Sequence, residues 1–109
     1  MSDTLITFTP EFKRQYKRLA KKYASLKADM QELLDELAGN PLKGTSLGKN
    51  AYKIRLSVGS KNKGKSGGVR VITYLVSADN ELYLLTVFDK SEQASVSSKT
   101  LRQLIDAID

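Results

Sequence analysis

The 109-residue sequence predicts an α+β domain: a helical hairpin packed on a small, mainly antiparallel sheet and closed by a C-terminal helix, in the order β-α-α-β-β-β-α. Three observations predict it. Apolar residues recur at helical spacing in two adjacent segments between Pro10 and Ala38, the period changes to two beyond Pro41, and an apolar stripe at helical spacing returns in the tail.

The first element is "LITF", a short apolar strand candidate ended by Thr9-Pro10, which has the form of an N-cap followed by proline at the first helical position. In "PEFKRQYKRLAKKYA" the residues Phe12, Tyr16, Leu19 and Tyr23 fall on one helical face, with Lys13, Arg14, Lys17, Arg18, Lys21 and Lys22 on the flanks and back. Ser25 is placed to cap a second helix, in which Leu26, Met30, Leu33, Leu34 and Leu37 repeat at the same spacing until Gly39, Asn40 and Pro41 end it. "AYKIRLSV" then alternates, with Tyr52, Ile54, Leu56 and Val58 on one face and Lys53, Arg55 and Ser57 on the other. "GGVRVITYLVS" and "ELYLLTVFDK" are β-branched and aromatic-rich runs joined by a turn at Ala78-Asp79-Asn80, which makes a three-strand meander. The last run is apolar on both faces from Leu82 to Phe88, as suits a central strand covered on each side. Leu101, Leu104, Ile105 and Ile108 form the stripe of the closing helix.

The length implies a single domain over residues 1–109. With no cysteine and no histidine, a zinc or iron site would need carboxylates alone, so neither a metal nor another cofactor is expected. No apolar run is long enough to span a bilayer, and the amino terminus lacks the basic-then-apolar order of a secretory signal. The chain therefore reads as cytoplasmic.

The net charge is +6, and its placement is informative. Between Leu37 and Ala78 there is no acidic residue, whereas Lys43, Lys49, Lys53, Arg55, Lys61, Lys63, Lys65 and Arg70 are all cationic. The rest of the chain carries ten basic against twelve acidic groups. A one-sign segment repels itself unless it meets a polyanion, so nucleic acid is the expected partner.

Within that segment, Gly59 to Ser66 satisfies the phosphate-loop pattern G-x-x-x-x-G-K-[ST]. Such a loop works by delivering glycines to the amino end of a helix. Here Gly67-Gly68 and a β-branched run come next, which cannot start one. The loop reads instead as the basic tip between two strands, with Lys61, Lys63 and Lys65 around it. Lys53 and Arg55 share one face of the entering strand, Arg70 on the leaving strand can lie across from them, and the face of Lys90 depends on register.

"YKIRL", "NKGKSGGVRVITYLV" and "LYLLTVFDKSE", in that order after a basic helical hairpin, resemble the RelE superfamily of type II toxin-antitoxin toxins, closest to its HigB-like branch. The resemblance implies a RelE-like fold and a metal-independent endoribonuclease, an mRNA interferase that cuts message in the ribosomal A site. It also implies an acidic antitoxin encoded beside it. Lys53 and Arg55 match the family's basic pair, Arg70 its next arginine, and Lys90 falls near its last basic position. Many ribosome-dependent relatives carry an aromatic residue shortly afterwards, where this chain has Val96. Relatives that poison gyrase share the fold but not this basic set, and a non-catalytic RNA-binding domain would use the same sheet to grip phosphate.

RNA cleavage without metal needs a base for the 2′-OH and an acid for the leaving 5′ oxygen. Lysine can act as the base where neighbouring like charges disfavour its protonated form, and Lys53 is assigned that role. Arg55 and Arg70 suit the stabilisation of the phosphorane oxygens, and Lys90 the donation of the proton. Lys13, Arg14, Lys17, Arg18 and Lys21, with Lys22, would face ribosomal RNA.

Overall fold

The structure, a computed structural model, describes residues 4–59 and 68–108. Its elements are β1 (Leu5–Phe8), α1 (Pro10–Lys22), α2 (Leu26–Gly39), β2 (Thr45–Gly48), β3 (Ala51–Leu56), β4 (Val69–Val76), β5 (Glu81–Asp89) and α3 (Ser98–Asp106), with a 3-10 turn at Ser77–Asp79 before β5. The five strands form one sheet in the order β1-β5-β4-β3-β2. β1 runs parallel to β5 and the other pairs are antiparallel. The expected α+β arrangement is therefore present, with a short additional strand, β2, that the sequence pattern does not announce. All four of its residues are exposed, so no apolar alternation marks it. Among the described residues, no helix is long and apolar enough to cross a membrane.

Helix α1 starts where the sequence predicts, with the Thr9 hydroxyl accepting a hydrogen bond from the Phe12 amide at 3.2 Å and Pro10 in the first turn. Ser25 occupies the N-cap position of α2 but makes no cap bond, contrary to expectation. Its backbone is already helical, and its hydroxyl donates to the Asp29 carboxylate at 2.8 Å. The same carboxylate oxygen accepts the Gly59 amide at 3.1 Å, which ties the end of the β3 segment to α2.

The helical hairpin covers one face of the sheet. Phe12 and Leu19 of α1 and Leu26, Met30, Leu33 and Leu37 of α2 pack on Ile54, Val69, Val71, Leu82, Leu84 and Val87. α3 covers part of the other face, where Leu101 meets Ala51, Ile72, Leu85 and Phe88. β5 is thus buried on both sides, as its apolar residues on both faces imply.

A bulge in β5 reconciles the two faces. Ile72 pairs with Thr86 but Thr73 pairs with Leu84, leaving Leu85 as the extra residue. Leu84 packs toward the hairpin and Leu85 toward α3, but Thr86, paired with Ile72 of the α3 core, stays on the side of Leu85, so the strand changes phase between Leu85 and Thr86. Thr9 secures the bulge: its hydroxyl is within 3.1 Å of both the Leu84 and Leu85 carbonyls, and its amide donates to Leu84 O at 3.2 Å. Beyond the bulge, Asp89 faces the hairpin, where its carboxylate is fully buried and accepts from Lys22, Tyr23 and Ser91. Glu92 accepts from Arg18 and Lys22 at 3.1 Å each, which fastens the last turns of α1 to the segment after β5.

Two outcomes are expected. Thr9→Ala removes a helix cap and the hydroxyl's contacts to the bulge together, and should destabilise the fold by about 1–2 kcal/mol in urea unfolding. The hydrogen bonds from Arg18 and Lys22 hold the Glu92 carboxyl below its ordinary value. A carboxyl depressed in the folded state stabilises above its unfolded value, about pH 4.3, and loses that contribution as pH falls through the lower folded value. Glu92→Gln should therefore melt below wild type at pH 7, with the difference shrinking as the pH falls below the unfolded value.

Candidate active site

Strand β3 places Lys53 and Arg55 on the face opposite the hairpin, since Ile54 between them packs into the hairpin core. In the β3–β4 register Arg55 lies directly across from Arg70, and Lys53 across from Ile72. β2 completes this side of the sheet, with Thr45 across from Lys53. Lys90, in phase with Phe88 and hence with Arg70, stands at the end of β5, its amide donating to Gly68 O at 3.2 Å. Gly68 suits this close-packed corner: its φ is +84°, and a Cβ there would lie 2.4 Å from the Leu56 carbonyl oxygen.

These strands enclose a cleft of about 370 Å³ lined by Lys43, Thr45, Lys53, Arg55, Arg70 and Lys90, together with Gly44 and Ile54. Among the described residues, no carboxylate lines it. The four basic residues singled out from the sequence are therefore brought together. Lys43 and Thr45 join them without having been assigned there, because the signal that would place them is the pairing of β2.

Arg70 is the unusual member, with only 4% of its surface exposed. Its Nη1 donates to the Val69 carbonyl at 3.4 Å. Burial, and secondarily the Arg55 charge, push its pKa down from the ordinary arginine value. A guanidinium keeps its proton even so. Like charges directly opposite on a sheet are destabilising, so this pair is held together by the surrounding structure rather than by itself. An anion entering the cleft would relieve both penalties.

The other assignments fall elsewhere. Lys61, Lys63 and Lys65 lie outside the described residues. Lys13, Lys17 and Lys21 are exposed on α1, on the hairpin side of the sheet and away from the cleft. Arg14 is paired with Glu11, Arg18 with Glu92, and Lys22 with Asp89 and Glu92, so three members of that basic helix surface already have acidic partners. Val96 packs against the core under α3. The phosphate-loop alternative fails because residues 69–76 form strand β4, where such a loop requires a helix. Among the described residues no cluster of three or more metal-ligating side chains occurs.

Comparison with known proteins agrees with this architecture. The family described as the RelE toxin of the RelE/RelB toxin-antitoxin system matches residues 11–107. A double arginine-to-alanine mutant of E. coli toxin RelE in the free state superposes with a TM-score of 0.64 at 14% identity, over 97% of this chain and 98% of that one. A chain of the intact E. coli RelBE toxin-antitoxin complex gives 0.59 at 16% identity, over 77% of this chain and 93% of that one. At such identities the two structures speak for the fold alone, whereas the family match spans nearly the whole sequence: this chain belongs to the RelE toxin family.

Proposed function

We propose that this chain is a ribosome-dependent endoribonuclease that cuts messenger RNA in the A site and so halts translation. We further propose that it is of the HigB-like branch and is silenced by an acidic, RelB-type antitoxin. The branch rests on "YKIRL", "NKGKSGGVRVITYLV" and "LYLLTVFDKSE". The antitoxin rests on the family and on the complex known for its relative. The observation that carries the activity is the cross-strand alignment of Arg55 and Arg70 beside Lys53, in a cleft without acidic lining.

In this reading Lys53 takes the proton from the ribose 2′-OH, whose oxygen attacks the adjacent phosphorus. The bond from phosphorus to the 5′ oxygen breaks, leaving a 2′,3′-cyclic phosphate on one fragment and a 5′-OH on the other. Lys90 supplies the proton to that departing oxygen. Arg70 and Arg55 neutralise the charge that accumulates on the phosphorane. Their mutual repulsion exists before substrate arrives and is relieved as negative charge grows, so their interaction is strongest when it is needed. The ribosome supplies the pose of the substrate, and positioning of that kind is worth about 7–11 kcal/mol.

Expression of wild type beside Arg70→Ala and Lys53→Ala, with growth arrest and new transcript 5′ ends scored together, tests the site. Loss of both signals in folded variants is the expected outcome, with cleavage reduced about 10²–10³-fold for Arg70→Ala. Arrest without new 5′ ends would indicate a binder, and DNA damage a gyrase poison. Arg70→Met should lose activity while unfolding no more easily than wild type, and by up to about 1 kcal/mol less easily, because it removes a buried guanidinium from its place opposite a second arginine. Lys90→Ala should slow cleavage on ribosomes by about 10²–10⁴-fold without weakening binding, and no variant or wild type should cut naked transcripts at the ribosomal rate.

A further inference from the structure

The side of the cleft formed by β2 carries chemistry of its own. The chain leaves α2 at Gly39, and the Lys43 amide donates to the Asn40 carbonyl at 3.3 Å. It then runs so close to β3 that only glycine fits at position 44: φ is +111°, and a Cβ would lie 2.6 Å from the Lys53 carbonyl oxygen and 2.9 Å from Ile54 Cγ1. This approach brings Lys43 into the lining of the same cleft as Arg55 and Arg70. The Lys43 ammonium is not left to wander, because Glu36 Oε2 in the last turns of α2 lies 3.5 Å from Nζ. Glu36 itself is exposed and does not line the cleft.

A long ion pair whose carboxylate is exposed and whose ammonium is only half-buried contributes little and is readily exchanged. Two interstrand spacings, about 10 Å, separate β2 from β4. Lys43, just before β2, therefore lines the cleft away from the strand that carries Arg70, where a phosphate next to the one the arginines would hold could reach it. We propose that Lys43 is a subsite for an RNA phosphate flanking the scissile linkage, with Glu36 as the resident counter-ion that this phosphate displaces. The inference rests on the reading of the cleft as an RNA-cleaving site. It adds a second phosphate contact and a carboxylate that competes with it.

The test is the salt dependence of binding to a short single-stranded RNA carrying 2′-deoxyribose at every position where cleavage could occur, measured by fluorescence anisotropy. Each phosphate contact contributes about −0.7 to the slope of log K against log salt for a single strand. Lys43→Ala and the stem-preserving Lys43→Gln should each make the slope shallower by about 0.7. Glu36→Gln should tighten binding about two- to fivefold at low salt, the equivalent of freeing one exposed ion pair, and should have no such effect when Lys43 is already replaced. An unchanged slope in both Lys43 variants, alongside a shallower one for Arg70→Ala, would overturn this inference and leave the site intact. No change in any of the three would overturn the RNA-binding reading itself. Equal or weaker binding by Glu36→Gln would overturn the exchange of counter-ions.

Discussion

The single extra residue in β5 is the constraint on which the layout of the molecule depends. A strand without interruption would keep Leu82, Leu84, Thr86, Phe88 and Lys90 on one side. With Leu85 bulged, Leu82 and Leu84 serve the hairpin core while Phe88 serves the core under α3, and Asp89 and Lys90 exchange sides accordingly. One carboxylate is thereby buried against α1 and one ammonium delivered to the cleft. Thr9 acts at the origin of both effects, since the residue that caps α1 also holds the carbonyls of the bulge. The packing of the helices and the composition of the cleft are consequences of the same local irregularity.

The cleft shows a different allocation of charge. Its charged lining is cationic throughout, and its most buried cation, Arg70, is placed opposite another arginine. Neither choice favours the folded state. The apolar surroundings absorb the penalty: Val69 and Val71 on either side of Arg70 are fully buried, and the sheet beneath is covered by α1 and α2. On the opposite face, the charges are arranged for stability instead. Asp89, Glu92, Lys22 and Arg18 pair across elements and secure α1 to the end of β5. The two faces of one sheet thus divide the charged residues between holding the fold together and lining the cationic cleft.

Much of this was legible in the sequence because periodicity reports burial directly. The stripe Phe12, Tyr16, Leu19, Tyr23 and the alternation of β3 each reflect one covered face, and Thr9-Pro10 marks a helix start by its chemistry alone. The shared face of Lys53 and Arg55 comes from the same alternation. The features that stayed hidden depend on pairing partners. The side of Lys90 required the bulge, which is invisible in a strand whose apolar residues, Leu84 and Leu85 among them, occupy both faces. β2 has no covered face, so nothing in "TSLG" distinguishes strand from loop, and with it Lys43 and Thr45 went unassigned. Ser25 had the right residue type at the right place, yet Asp29 offered its hydroxyl a better acceptor than the helix end offered a donor.

The parallel pairing of β1 with β5 joins the first strand of the chain to the last, across 76 positions between Leu5 and Glu81. During synthesis, β1 has no sheet neighbour until β5 has emerged, and Lys90 comes later still. Closing so long a loop is slow relative to forming the hairpin of helices, whose contacts are local. A nascent chain can therefore fold its helices while the cationic cleft is still unassembled, so the cluster of positive charge forms only when the product is nearly finished.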